Sequence, residues 1–290
     1  MYRIVRKEKL NANVTRMSID APHVAVHANV GQFIMFRVYE FGERVPLTIA
    51  GVDREAGTVD IIFQTIGKST RLLAEKEAGD TIYGFVGPLG QPSELEGYDR
   101  ALVIGGGVGT AIAFPSAVKL NRLGTKVDVI AGFKNKDIVF LEDEFRAASE
   151  NLYVMTDDGS YGEEGFVTNK LKQLLDAGEK YDLVVAIGPI PMMKAVVAMT
   201  KEKEMKTLVS LNPIMVDGTG MCGGCRVQIG GQTKFACVDG PEFDGFMVDF
   251  DDLARRNRSY LSEEEDRDHA CRLQIAAEQF DHDDPVQNKE

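Results

Sequence analysis

From residue 100 to residue 204 the chain repeats one pattern: a short apolar run, a turn, then a longer helical stretch. ALVIGGGVG leads into TAIAFPSAVKLNRLG, and KVDVIAGF into IVFLEDEFRAASE. NLYVMTDDG leads into GFVTNKLKQLLDAG, and YDLVVAIGP into PMMKAVVAMTKEKE. Runs rich in Val and Ile that barely alternate read as strands buried on both faces. Strands and helices alternating through short connections predict a parallel α/β sheet covered on both faces. Ligands of such sheets sit beyond the carboxyl ends of the strands, so the turns there come first in a search for function.

The first of these turns is Gly105-Gly106-Gly107-Val108-Gly109-Thr110. It departs from a strict GxGxxG, because Thr110 holds the sixth position. It still lies between a strand and a helix, where glycines let a pyrophosphate approach backbone N–H groups. Close helix–strand packing is the plain alternative for glycines at such a turn, and the alternating sheet favours nucleotide binding. Asp157 and Asp158 end the third strand. A carboxylate there suits ribose hydroxyls and repels a 2′-phosphate, which leans towards NAD. Lys134 and Lys136 lean the other way, and a solvated turn is the plain alternative. Gly188-Pro189 makes a further turn at the same edge, before Met192 and Met193.

Residues 1 to 95 have another texture. Short runs rich in Val, Ile and Phe, bounded by Gly, Asn or Asp, cover 2–8, 14–19, 33–38, 45–52, 58–64 and 81–86. Six strands at this spacing predict a small antiparallel barrel or sandwich, closed by the Gly87-Pro88-Leu89-Gly90 turn. Arg44-Val45-Pro46-Leu47-Thr48 offers a phosphate-binding guanidinium and a hydroxyl beside a strand entry. Gly67-Lys68-Ser69-Thr70 resembles the end of a Walker A loop, but Ile62 stands where that loop needs glycine. A hydroxyl-bearing helix start remains, read either as an anion site or as a helix capped by Ser69.

Residues 211 to 250 hold three of the four cysteines, as Asp217-x4-Cys222-x2-Cys225-x11-Cys237, with glycines at 218, 220, 223 and 224. Thiolates suit zinc or an iron–sulfur cluster, and the spacing alone leaves both open. Asp217 is the expected fourth ligand, since Cys271 lies more than thirty residues further on. Four cysteines in 290 residues make no disulfide framework. With no signal peptide and no apolar run of membrane length, the expectation is a cytoplasmic protein. The net charge of −12 argues against nucleic acid and anionic membranes as partners. Residues 261 to 290 supply −7 of it, ten acidic against three basic. Within 251–290 the reading is a helix over 262–280 and a frayed end, solvated or ordered on a partner.

In this order, the Arg-x-Pro-Leu-Thr segment, the GPLG turn, GGGxG and Gly-Pro resemble the ferredoxin–NADP reductase superfamily. The appended cysteine segment resembles the branch of dihydroorotate dehydrogenase electron-transfer subunits. Within that branch the chain is most similar to small subunits of NADH-dependent ferredoxin:NADP oxidoreductases, also described as sulfide dehydrogenase beta subunits. The resemblance covers residues 1 to about 260. It implies an FAD-binding barrel (1–95), an NAD-binding α/β domain (96–210), a 2Fe-2S module (211–250) and an acidic tail (251–290). It implies FAD contacts at Arg44, Pro46, Leu47, Thr48, Ile62, Phe63, Gln64, Gly67, Ser69 and Thr70, with Thr48 tuning the flavin. It implies NAD(H) contacts at Gly106, Gly107, Gly109, Thr110, Asp157, Gly188 and Pro189, and cluster ligands Asp217, Cys222, Cys225 and Cys237. A larger flavin and iron–sulfur partner is implied, in a heterodimer, with ferredoxin and NADP(H) reached through it. Many reductases of the superfamily carry Cys-Gly-Pro where this chain has Ile187-Gly188-Pro189. The dihydroorotate branch carries cysteine where this chain has Asp217, and the aspartate favours the ferredoxin:NADP branch. The other readings are the dihydroorotate electron-transfer subunit and a zinc-stabilised nucleotide-binding regulator.

Overall fold

The computed structural model describes the backbone of residues 1–283 and side chains through residue 272. The first seven strands are β1 (Tyr2–Lys9), β2 (Val14–Asp20), β3 (Phe33–Arg37), β4 (Val45–Asp53), β5 (Thr58–Gln64), β6 (Thr81–Ile82) and β7 (Gly84–Leu89). Two short helices join them, α1 (Pro22–His27) and α2 (Lys68–Ala74). The sheet order is β6-β1-β2-β5-β4-β3-β7, antiparallel throughout. The run expected as one strand over 81–86 is two. Tyr2 pairs with Ile82 and Arg37 with Gly84, so the chain crosses from one end of the sheet to the other at Tyr83. That crossing brings the two ends together and makes the sheet a nearly closed barrel.

Pro88, expected in a turn, lies inside β7. Its missing N–H costs little there, because β7 pairs on one side only, with β3. α1 had no counterpart in the sequence reading. Its PHVAVH lacks a helical signature, and it is held by burial of Val24 and Ala25.

The parallel domain follows: β8 (Arg100–Gly106), α3 (Gly109–Arg122), β9 (Lys126–Phe133), α4 (Glu142–Ala148), β10 (Asn151–Thr156), β11 (Glu163–Glu164), α5 (Val167–Asp176), β12 (Leu183–Ile187), α6 (Ile190–Lys201) and β13 (Thr207–Ser210). α4 is shorter than the helix expected over 138–150. Phe140 and Leu141 turn into the core, and Leu141 takes a left-handed φ of 61° just before the helix. The last elements are β14 (Arg226–Ile229), β15 (Gln232–Phe235), α7 (Ala236–Asp239), β16 (Glu242–Asp244), α8 (Phe250–Asn257) and α9 (Leu261–Asp283). The large sheet runs β11-β10-β9-β8-β12-β13-β16. Its final strand, β16, is antiparallel and comes from the cysteine-bearing segment.

The cores show what this topology positions. One face of the parallel sheet packs α3 with barrel residues Val14 and Ile62. The other packs Met193, Val196 and Val197 with Cys225, Cys237 and Phe243, and with Phe33 and Met35 of the barrel. The barrel therefore shares one apolar core with α3 and another with the cysteine segment.

The amino-terminal edge of the sheet is tied by a buried carboxylate, Asp128. It accepts from Arg100 Nη2 at 2.9 Å, the Tyr181 hydroxyl at 2.9 Å and Asn151 Nδ2 at 2.8 Å. Burial, and then the bond to Asp128, push the Tyr181 phenol far up, so it stays a donor. This edge is structural, and the opposite edge is left for ligands. Among the described residues no helix is long and apolar enough to cross a membrane. α9 extends the helix expected over 262–280 to Asp283. The rest of the end expected to fray, 284–290, lies outside the described residues.

Candidate functional site

The barrel has a seam. β4 pairs with β5 only from Ile49↔Ile61 onward. Before that point β4 pairs with β3, through Thr48↔Phe33, Leu47↔Ile34 and Pro46↔Met35. Past Ile61, residues Ile62, Phe63 and Gln64 pair with β2 alone. Two backbone edges, 44–48 and 62–64, are thus left without ladder partners towards each other. The side chains of Ile62 and Phe63 are buried in separate cores, so at these two positions β5 has only backbone to offer a ligand.

The chain after β5 turns back to the head of β4. Ser69 Oγ donates to Glu43 Oε2 at 2.9 Å, which brings the 67–70 segment beside exposed Arg44. Ser69 does not cap α2. The capping atom is Thr70 Oγ1, which accepts from Ile66 N–H at 3.1 Å and Gly67 N–H at 3.2 Å and donates to Gly67 O at 3.0 Å. Thr70 therefore builds the turn, and Arg44 and Ser69 are the groups that face outward.

Across the interface α3 packs on β4. Gly106 ends β8, and Gly188 follows β12, its neighbour in the sheet. The glycines of the turn have different reasons. A Cβ on Gly109 would meet Ile187 O at 2.5 Å and Gly188 Cα at 2.7 Å, and one on Gly106 would meet Met192 Sδ at 2.4 Å. Packing accounts for both. Gly107 has a φ of 57° and nothing within 4 Å of a Cβ, so its open side is free for a ligand. Thr110 is fully buried, and its hydroxyl is without a partner among the described residues. Asp157 is exposed at the end of β10, one strand beyond β9. Asp158 turns onto Ser160, whose N–H and hydroxyl hold its carboxyl below the usual range. Asp157 is thus the freer of the two, while Pro189 stands exposed beside the Gly106 turn.

The cysteine loop is organised by Asp217. Its carboxylate accepts Thr219 N–H and Cys222 N–H, both at 2.8 Å, and these bonds hold it below the usual range. Backbone N–H groups point at sulfur: Gly220 to Cys237 at 3.2 Å, Gly224 to Cys222 at 3.4 Å and Cys237 to Cys225 at 3.5 Å. Cys225 and Cys237 Sγ stand 3.2 Å apart, both buried, while Cys222 is exposed. Burial, and then Cys225, push the Cys237 thiol up to about 12. Only a strongly positive neighbour would make it a thiolate. α8 braces the loop, with Arg256 donating to Gly224 O at 3.2 Å. Gly218 packs so closely on Met35 that a Cβ would come within 2.8 Å of it, which presses the loop against the barrel. Cys271 lies apart on α9, a helix that packs on α2.

Among the described residues no three His, Cys, Asp or Glu side chains gather as a set for one metal ion. A 2Fe-2S cluster divides its four ligands between two irons, so a close thiol pair with two further groups on the same loop suits it.

Sequence reasoning missed several residues around these sites. Glu43, Arg71, Arg267 and Asp268 form contacts across the chain that no spacing reveals.

The segment 212–249 matches the family described as the iron–sulfur cluster binding domain of dihydroorotate dehydrogenase B. A Thermotoga maritima homologue of the electron transfer subunit of dihydroorotate dehydrogenase B (NAD(+)) is 46% identical over 261 residues, 90% of this chain and 92% of its own. The electron transfer subunit of that enzyme from Geobacillus thermodenitrificans is 34% identical over 249 residues, 83% of this chain and 94% of its own. Barrel, parallel sheet and cysteine module together define a flavin and iron–sulfur NAD(P)H oxidoreductase subunit. The chain belongs to the family of dihydroorotate dehydrogenase B electron transfer subunits and their homologues. Within its reach is a chain from the NADH-dependent reduced ferredoxin-NADP oxidoreductase, a structure reported for flavin-based electron bifurcation. It superposes with a TM-score of 0.89 at 43% identity, over 94% of this chain and 98% of that one.

Proposed function

We propose that this chain passes electrons between NAD(H), FAD and a 2Fe-2S cluster to a larger partner, as the small subunit of an NADH-dependent reduced ferredoxin:NADP oxidoreductase. The observation that carries the proposal is the placement of the barrel. Its seam strands β4 and β5 pack on α3, the helix that follows the dinucleotide turn, on one side. Its strand β3 shares a core with Cys225 and Cys237 on the other. Bound FAD would supply hydride acceptance from a dihydronicotinamide and one-electron release towards a cluster.

In this reading the chain's residues bind, orient and exclude water. Arg44 and Ser69 face the flavin phosphates, and Thr70 shapes the turn that carries Ser69. The open backbone of Ile62, Phe63 and Gln64 meets the ring from one edge of the seam, and Pro46, Leu47 and Thr48 from the other. Thr48 is positioned to adjust ring electronics. Gly67 gives the turn its entry. Gly107 lets a pyrophosphate close on the backbone, the Thr110 hydroxyl supplies a buried polar partner, and Gly106, Gly109, Gly188 and Pro189 hold the turn's shape. Asp157 meets the adenosine ribose. Asp217, Cys222, Cys225 and Cys237 hold the cluster. Hydride transfer needs no protein acid or base.

Met221, Val216 and Val238, in the cysteine-bearing segment with the exposed Cys222, are exposed at 88%, 56% and 41%. An apolar rim around a redox centre suits a protein partner that must come close to it. Affinity capture of the tagged chain from anaerobic extracts of its own cells tests the assignment. A large flavin and iron–sulfur protein is the expected companion. A dihydroorotate-oxidising enzyme would move the chain to the reading that the relatives' names favour.

A further inference from the structure

The acidic C-terminal segment does not simply run into solvent. α9 packs against α2, and its residues Asp268 and Cys271 are buried at 9% and 6% exposure, three apart and so on one face. Two polar links fasten it, and both reach the part of the barrel assigned to the flavin phosphates. Arg71, on α2, donates from Nη2 to Asp268 Oδ1 at 2.9 Å. Arg267 donates to Glu43 Oε1 at 2.5 Å, while Glu43 Oε2 accepts from Ser69. Glu43 thus joins α9, the residue before Arg44 and the 67–70 turn in one network.

The charges of this network are informative. Asp268 also accepts from Arg272 Nε at 2.7 Å, so one carboxylate lies between two guanidiniums. Arg71 and Arg272 with Asp268 leave a net positive charge beside the turn, although the segment as a whole is strongly acidic. Two of the three basic residues of 261–290 are spent here. The Arg71 Nε is buried and has no hydrogen-bond partner among the described residues, so there this guanidinium keeps an unspent donor. A donor left buried and unpaired is destabilising. A phosphate oxygen would relieve that cost, and an arginine already fixed by a carboxylate loses little freedom on binding one.

We propose that α9 is a strap on the flavin site: Asp268 and Arg267 fix Arg71 and the Glu43–Ser69 link beside the flavin diphosphate, and FAD retention depends on them. The proposal rests on the flavin site assigned above. Arg71, Glu43, Arg267 and Asp268 act as positioning residues. The strap acts on the phosphates and leaves the ring alone.

The test uses the full-length protein and the rate at which FAD leaves it, read from the fluorescence of released flavin. Asp268→Asn and Glu43→Gln each speed release about tenfold, and Asp268→Glu restores most of the retention. The cluster spectra of these variants are unchanged. Variants that keep FAD as tightly as the parent would overturn the strap alone. A parent protein that binds no FAD would overturn the flavin site and the strap together.

Discussion

Replacing Cys225 or Cys237 with serine is expected to remove the cluster while leaving the flavin in place. Both sulfurs are buried, 3.2 Å apart, and each accepts a backbone N–H from its own loop. A serine at either position keeps the volume and loses the thiolate that iron requires. Bound iron should fall from about two per chain to near zero, since the cluster is binuclear. Transfer to acceptors that draw on the cluster should fall with it, while NADH still reduces the flavin. Cys271→Ser should leave the spectrum untouched, because that thiol belongs to α9. Asp217→Ala should shift the cluster's potential and spectrum, and Asp217→Cys should move both towards those of an all-thiolate cluster. An unchanged Asp217→Ala protein would remove the aspartate from the ligand set.

The second large effect is expected at Gly109. An alanine there would put its Cβ 2.5 Å from a carbonyl oxygen and 2.7 Å from an α-carbon of the neighbouring strand's turn. These are backbone atoms of β12 and of the residue that follows it, so no side chain can swing aside. Overpacking of this kind costs about 1–3 kcal/mol, and displacing a binding turn by about 1 Å costs roughly a hundredfold in rate. Gly109→Ala should therefore lower both the melting temperature and kcat/KM for NADH. Gly107→Ala makes the contrasting case. Its Cβ meets nothing within 4 Å, so stability should fall by only about 1 kcal/mol for the positive φ. Its main effect should be a raised KM, because the methyl group stands where the dinucleotide approaches. Steady-state kinetics and thermal melts separate the two, and equal behaviour would show that the turn's open side is not used.

These two sites also show what could be read from sequence. The alternating strands and helices after Arg100 were legible because burial on both faces leaves long apolar runs. Gly107 and Gly109 look alike in sequence, yet one answers to a backbone angle and the other to a neighbouring strand. That difference depends on which strand lies beside β8, which the pattern does not state. The barrel's strands were legible, but its closure at Tyr83 was not, since one continuous run feeds two edges. Pro88 looked like a turn because the pattern cannot tell an edge strand from a loop. The cysteine spacing marked a metal site, while the shared core that sets it against β3 arises only on folding. Least legible was α9. Its acidic composition reads as solvated, and its contacts join residues about 200 positions apart, as Arg71 and Asp268 do.

Anaerobic titration of the purified full-length chain with NADH, followed by absorption and electron paramagnetic resonance, tests the central claim most directly. The account predicts that NADH bleaches a flavin band and raises the resonance of a reduced binuclear cluster in the same protein. Asp217→Ala should change the resonance and leave the bleaching intact. A colourless protein that carries zinc and does not respond to NADH would contradict it.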